Sequence, residues 1–270
     1  MVKEHNSIQT FISVIIPAFR QEKTIEKDLT QLEAILSQLR YSFEMIVVVD
    51  GIVDKTYQMA KKVSSKNIKV FGYENNRGKG NAIRYGIVRS KGNIVGFIDA
   101  GMDINPNGLG LLLEQFEWED ADIVIGSKRH PQSKVQYPLV RRTISFFSQI
   151  WIKTLFSLNV RDTQVGLKFF KRKVLEDVVP RLLVKRFAFD IEILVVAYYL
   201  GYKKIFEVPV ELDYNFNESS VSQDLFKSIL STLWDTIAIF YRLKIMRYYD
   251  NGANRKWKYD PELNFRVNIG

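Results

Sequence analysis

The chain has 270 residues, 46% of them hydrophobic, a formal net charge of +9, two histidines and no cysteine. That length and apolar content can bury a substantial core, as one large α/β domain or as a domain with an appendage. Disulfides and thiolate-bound metal are excluded, and His5 and His130 are too few for a histidine-based metal centre. The positive charge favours an anionic partner such as a nucleotide, a phospholipid or a nucleic acid.

Met1–Asn6 carries no apolar core, so no signal peptide is expected, and no uninterrupted run of about 18 apolar residues predicts a spanning helix. Phe11–Ile16 reads as a strand stopped by Pro17. Thr24–Leu39 places Ile25, Leu29, Leu32, Ile35, Leu36 and Leu39 at helical spacing. Phe43–Val49 is a continuous apolar run, as in a strand covered on both faces. Thr56–Val63 (helix), Ile68–Gly72 (strand), Asn81–Arg89 (helix), Asn93–Ile98 (strand), Leu109–Phe116 (helix) and Asp122–Ile125 (strand) continue the alternation. Such alternation predicts a mostly parallel sheet wound by right-handed crossovers.

The second half changes character. Gly126–Val160 contains no acid, yet it holds Lys128, Arg129, Lys134, Arg141, Arg142 and Lys153 among aromatic and aliphatic residues. Lys168–Phe170 and Tyr202–Val210 read as strands around an Ile191–Leu200 helix. From Leu225 to Tyr249 a helical pattern puts Leu225, Ile229, Leu233, Ile237 and Phe240 on one face, interrupted by Asp235 and ending in Arg242, Lys244 and Arg247. Ile144–Phe156 and Leu225–Tyr249 are amphipathic, aromatic and basic, the composition of helices lying in a membrane interface; packing on the sheet as ordinary core helices is the alternative. The tail after Asp250 has no clear pattern. The resulting division is a catalytic domain over 1–220, an amphipathic helix over 221–250 and a tail over 251–270.

The candidate chemistry lies where predicted strands end. NIVGFI delivers the chain onto Asp99-Ala100-Gly101-Met102-Asp103. Two carboxylates there suit a hard divalent cation whose remaining ligands are water and substrate phosphate. Pro17-Ala18-Phe19-Arg20-Gln21-Glu22 follows the first strand, Asp50-Gly51-Ile52-Val53-Asp54 the second, and Asn76-Arg77-Gly78-Lys79-Gly80-Asn81 opens a helix. In an open α/β sheet these segments line one cleft. Asp50 can accept from a base or ribose, and Lys79 offers charge to a diphosphate. Neither a Walker loop nor a G-x-G-x-x-G fingerprint is present.

SVIIPAF, VVVDGIVDKT, NRGKGNAIRYGI, FIDAG, GSK, RDTQVGLKFF and FAFDIEIL occur in one order over roughly Ile12–Leu194. Together they resemble the GT-A fold family 2 glycosyltransferases. Within these the motifs are most similar to the polyprenyl-phosphate sugar synthases, the dolichyl-phosphate β-glucosyltransferases first and the mannose synthases next. The resemblance implies an inverting transfer of a hexose, with glucose the first expectation, from UDP-glucose or GDP-mannose to a polyprenyl phosphate. The place expected is the cytoplasmic side of a membrane. It implies that Pro17, Phe19, Glu22, Asp50, Lys79 and Asp99 bind the donor, and that Asp99 and Asp103 hold Mg²⁺ or Mn²⁺. Lys128, Arg129, Arg141, Arg142 and Ser145 would take the acceptor phosphate, and Asp162 and Gln164 would join Asp99, Asp103 and Arg141 at the reaction centre. A phosphate monoester is mostly dianionic near neutrality, so it attacks without a protein base, and the site must supply orienting cations. The chain departs from the family pattern at Gly101, which replaces the central acid of the metal motif, and at Arg20-Gln21, Ile52-Val53 and Lys128. Two other readings stand beside this one: transfer to a saccharide acceptor, and non-catalytic binding of a nucleotide sugar or lipid phosphate. Nothing in the sequence marks nucleic-acid recognition.

Overall fold

The computed structural model describes residues 10–135, 139–212, 225–250, 257–261 and 265–268. In chain order the elements begin β1 (Phe11–Ala18), α1 (Ile25–Ser37), β2 (Ser42–Asp50), α2 (Thr56–Lys62), β3 (Ile68–Tyr73), α3 (Lys79–Arg89) and β4 (Ile94–Ile98). They continue with α4 (Leu109–Trp118), β5 (Ile123–Ser127), α5 (Leu139–Phe156), β6 (Leu167–Lys171), α6 (Arg172–Val178), α7 (Phe189–Tyr199) and β7 (Ile205–Pro209). Last come α8 (Leu225–Phe240), which runs on into a π-helical turn over Tyr241–Ile245, and the strands β8 (Trp257–Asp260) and β9 (Phe265–Asn268).

Among the described residues, β1 to β7 form one sheet in the order β3-β2-β1-β4-β6-β5-β7. The pairs β1–β2, β2–β3, β1–β4 and β5–β7 are parallel, and β6 runs antiparallel to both β4 and β5. The central strands are buried along their length, as Met45–Val49 and Ile94–Ile98 are, because helices cover both faces. Their apolar runs therefore specify strands without a polar alternation.

Several expectations shift. β1 continues through Pro17 to Ala18, paired with Val48 and Val49 of β2. α5 begins at Leu139, ahead of the expected Ile144. α6 is a seven-residue helix with no counterpart in the sequence pattern. The C-terminal tail contains an antiparallel pair, β8–β9. Among the described side chains of α8, Thr236 and Ile239 are buried, followed by Leu243 in the π turn, whereas Ile237 of the expected apolar face is 44% exposed. The side chains of Leu225 and Ile229 lie outside the described residues. No helix of the described residues is long and apolar enough to cross a membrane.

Candidate active site at the carboxyl edge of the sheet

Six parallel strands end on one edge, and antiparallel β6 brings the loop that precedes it, residues 160–166, to that same edge. Ligands of open α/β sheets gather there. Asp50 closes β2 and is 3% exposed. Its Oδ1 accepts from Tyr73 Oη and the Arg77 N–H, each at 2.8 Å. Its Oδ2 accepts from Asn76 Nδ2 at 3.0 Å and the Gly78 N–H at 2.9 Å. Burial and the Asp50 charge push the Tyr73 hydroxyl pKa upward. One carboxylate thus shapes the Asn76–Gly78 turn. Gly78 has φ +97°, and a Cβ there would stand 2.5 Å from the Lys185 carbonyl oxygen. The Gly80 N–H donates to that carbonyl at 2.8 Å, so the 183–186 loop is stitched onto the start of α3.

α3 opens with Lys79, whose largely buried ammonium lies 2.8 Å from Asp99 Oδ1 and donates to Asp99 Oδ2 and to Asp190 Oδ2, each at 2.9 Å. Burial alone would lower the lysine pKa, but Asp190 and Asp99 overcome it and hold the group above its ordinary value. Asp99 is half-exposed, while its Oδ1 is buried against the Lys79 ammonium. A Cβ on Gly166 would fall 2.2 Å from Asp99 Oδ2, so only glycine leaves that carboxylate its place. Gly101 has φ +91°, a conformation that glycine adopts without strain. The Gly101 N–H donates to Asp28 Oδ2 at 3.1 Å. Asp103 is exposed on the same turn. Among the described residues no group of three or more histidines or acids forms a complete metal cage. A diphosphate-bound cation needs only one or two carboxylates, which Asp99 and Asp103 would supply.

At the other predicted donor positions, Pro17 is buried at the end of β1 and Phe19 is 37% exposed with the Arg20 guanidinium 5.2 Å above its ring. Glu22 accepts the Lys55 N–H at 3.1 Å. On the far side of the edge, Asp162 accepts the Lys128 N–H at 3.0 Å and lies 3.8 Å from Lys128 Nζ. Glu207 Oε1 accepts the Arg161 and Asp162 N–H groups. Arg129 Nη1 donates to Gln149 of α5, and Gln164 is exposed. The side chains of Arg141, Arg142 and Ser145 lie outside the described residues.

The structure adds Lys168 and gives partners to Asp190 and Glu192 of the FAFDIEIL motif. Asp190 lies in the first turn of α7, whose N-cap is Ala188. Lys168 of β6 is fully buried, with Nζ 2.5 Å from Asp190 Oδ1. Glu192, also fully buried, accepts from the Leu183 and Val184 N–H groups, from Tyr249 Oη at 2.6 Å and from Arg242 Nη1 at 3.4 Å. A first-turn acid that reads as a surface residue is therefore the knot tying the 183–184 loop to the C-terminal segment. Beside it an open cavity of about 270 Å³ is lined by Leu183, Val184, Lys185, Arg186, Asp235 and Arg242.

Comparison with known proteins places this arrangement. The family model for glycosyl transferase family 2 matches residues 13–179. A dolichyl-phosphate beta-glucosyltransferase of Dictyostelium discoideum is 29% identical over 260 residues, spanning 90% of this chain and 78% of that protein. One from Trichomonas vaginalis is 30% identical over 257 residues, spanning 90% and 77%. One from Drosophila melanogaster is 34% identical over 202 residues, spanning 69% and 62%. Among solved structures, glucosyl-3-phosphoglycerate synthase from Mycobacterium tuberculosis with Mn²⁺, UDP and phosphoglyceric acid superposes with a TM-score of 0.65 at 19% identity, covering 96% of this chain and 86% of that one. Mannosyl-3-phosphoglycerate synthase from Rubrobacter xylanophilus gives 0.64 at 15% identity, covering 94% and 82%. These structures share the mostly parallel GT-A sheet. The ordered motifs, the carboxyl-edge cleft and the family match over most of the catalytic segment lead to one conclusion: the chain belongs to glycosyl transferase family 2.

Proposed function

We propose that the protein moves glucose from a nucleotide diphosphate sugar, UDP-glucose first among them, to a dolichyl-type polyprenyl phosphate, with inversion. The observation that carries this reading is the agreement in name of relatives that align along most of the chain, in a molecule whose cleft offers Lys79 beside Asp99. In this reading Asp50 fixes the Asn76–Gly78 turn against the nucleoside, and Pro17, Phe19 and Glu22 flank it. Lys79 neutralises diphosphate oxygens. Asp99 and Asp103 would hold Mg²⁺ or Mn²⁺, the ion that accompanies UDP in the mycobacterial neighbour. Such an ion supplies positive charge where the diphosphate leaves.

Lys128 and Arg129 at the end of β5, with Arg141, Arg142 and Ser145 of α5, are assigned to the acceptor phosphate, and Asp162 fixes Lys128. Asp162 and Gln164 border the reacting sugar. The dianionic phosphate attacks the anomeric carbon from the face opposite the leaving diphosphate, so the configuration inverts in one displacement. A lipid acceptor requires a membrane surface. Exposed Leu230, Trp234, Ile237, Tyr241 and Ile245 recur every three or four residues along α8 and its π turn, and Phe146, Phe147, Ile150 and Trp151 are exposed on α5. Both stripes have the character of interfacial helices, and the cationic excess favours an anionic, cytoplasmic leaflet.

The test is transfer of radiolabelled sugar from UDP-glucose, with GDP-mannose in parallel, to a short polyprenyl phosphate in detergent, with Mn²⁺, Mg²⁺ or EDTA. Lipid-extractable label from UDP-glucose that EDTA abolishes is the expected result. Label on a soluble saccharide alone, or donor binding without turnover, would replace this reading by one of its rivals.

A further inference from the structure

A lysine in the middle of a sheet core is costly, and a buried ion pair is often no better for stability than apolar residues of the same size. Lys168 is nevertheless fully buried on β6, donating to the Val165 carbonyl and standing 2.5 Å from Asp190 Oδ1. Asp190, 2% exposed, spends its second oxygen on Lys79 Nζ at 2.9 Å. Lys79 in turn reaches Asp99, the half-exposed member of the row. Charges therefore alternate from the core to the cleft: Lys168, Asp190, Lys79, Asp99. Phe97 packs beside both ammonium groups, its ring centre 5.7 Å from Lys79 Nζ and 5.4 Å from Lys168 Nζ. Without Asp190 two like charges would face each other with no carboxylate between them. A lone lysine at the start of α3 would also keep its rotamer freedom until a ligand fixed it.

We infer that the buried Lys168–Asp190 pair is a positioning device, which holds the Lys79 ammonium preset at Asp99 for the diphosphate of the donor. Asp190 orients Lys79, and Lys168 orients Asp190; neither touches the substrate. The role rests on the nucleotide-sugar reading above, and it predicts an effect confined to the diphosphate.

The experiment is calorimetric titration of UDP and of uridine, with GDP in parallel, into the wild type and its variants in EDTA and in Mn²⁺, with thermal melts to follow folding. Asp190→Asn should weaken UDP binding in EDTA roughly tenfold, the order of one lost charge-assisted hydrogen bond, and leave uridine binding unchanged. In a Lys79→Gln background the same change should have no further effect. If Asp190→Asn does not fold, the paired replacement Lys168→Met with Asp190→Leu removes both buried charges together and should show the same loss for UDP. Unchanged UDP affinity in a folded variant, an equal loss for uridine, or a full additional loss on top of Lys79→Gln would each overturn the positioning role. A wild type that binds UDP while its variants are indifferent defeats this inference alone. A wild type that binds neither nucleotide diphosphate defeats the nucleotide-sugar reading, and this inference with it.

Discussion

Asp99 keeps its orientation because its neighbours leave it no alternative. Its N–H donates to the Gly166 carbonyl at 3.0 Å, Lys79 holds both of its oxygens, and the missing side chain of Gly166 provides the space. Gly166→Ala must displace the carboxylate or the strand behind it. A misplacement of about 1 Å at a reacting group can cost a hundredfold in rate. Glucosyl transfer by this variant is therefore expected to fall by roughly ten- to a hundredfold, measured as kcat/KM with saturating lipid acceptor. The positions of Asp50, Lys79 and Asp99 at the edge of the sheet are legible in the sequence because each adjoins an apolar run or a glycine turn, whereas Asp162 enters only through the family resemblance. Lys168 is legible in neither way. In Gly166-Leu167-Lys168-Phe169-Phe170 a lysine reads as one polar position in a strand, and its partner is 22 positions away on another element. Asp28 and Glu192 look like ordinary first-turn acids, which helix dipoles favour anywhere. Only packing shows that one holds the Gly101 turn and the other the 183–184 loop.

At the scale of elements, the long apolar runs do form strands, while boundaries differ where hydrophobicity does not decide the end, from Tyr202 to Ile205 at β7 and from Ile144 to Leu139 at α5. α6 escaped notice because seven residues give barely two turns of pattern. α8 shows why amphipathicity alone is ambiguous. One stripe, Thr236, Ile239 and Leu243, is buried, and another, containing Trp234 at 74% exposure, is not. A helix with two apolar faces needs two partners, and the described residues supply only one. Trp234→Glu combined with Ile237→Glu is expected to leave thermal stability nearly unchanged, since both side chains are exposed. The same variant is expected to reduce sedimentation with anionic lipid vesicles at least about tenfold, as the loss of about 1.5–3 kcal/mol per apolar side chain implies. Equal co-sedimentation of variant and wild type would remove α8 from the membrane contact.

At the scale of the whole molecule, stability is concentrated in the sheet, including the end remote from the cleft. There Glu44 is 4% exposed and accepts from Ser13 Oγ at 2.8 Å, Lys69 Nζ at 2.7 Å and the Lys91 N–H at 2.7 Å. Burial raises its pKa, but these donors outweigh burial and bring it below the ordinary 4.5. The ionised form is thus preferred by the folded state. Its contribution is complete above pH 4.5 and is lost as the pH falls through the lower, folded-state value. Urea midpoints followed from pH 7 to pH 3 should therefore drop more steeply for the wild type than for Glu44→Gln, and the gap should narrow at the acid end.

The strand order has a kinetic consequence. β1 to β4 are joined by successive short crossovers, whereas β6 must find β4 across the whole of α4, β5 and α5, pairing Ile94 with Lys171. Closing a loop of that length costs entropy before any contact repays it. The half bearing Asp50 and Lys79 can assemble from neighbours in sequence, while Gly166, Lys168 and Asp162 arrive only when the distant strand docks. Asp99 therefore acquires its final surroundings late, and a chain released before that docking holds the Asn76–Gly78 turn with Asp99 still lacking Gly166 and Lys168 around it.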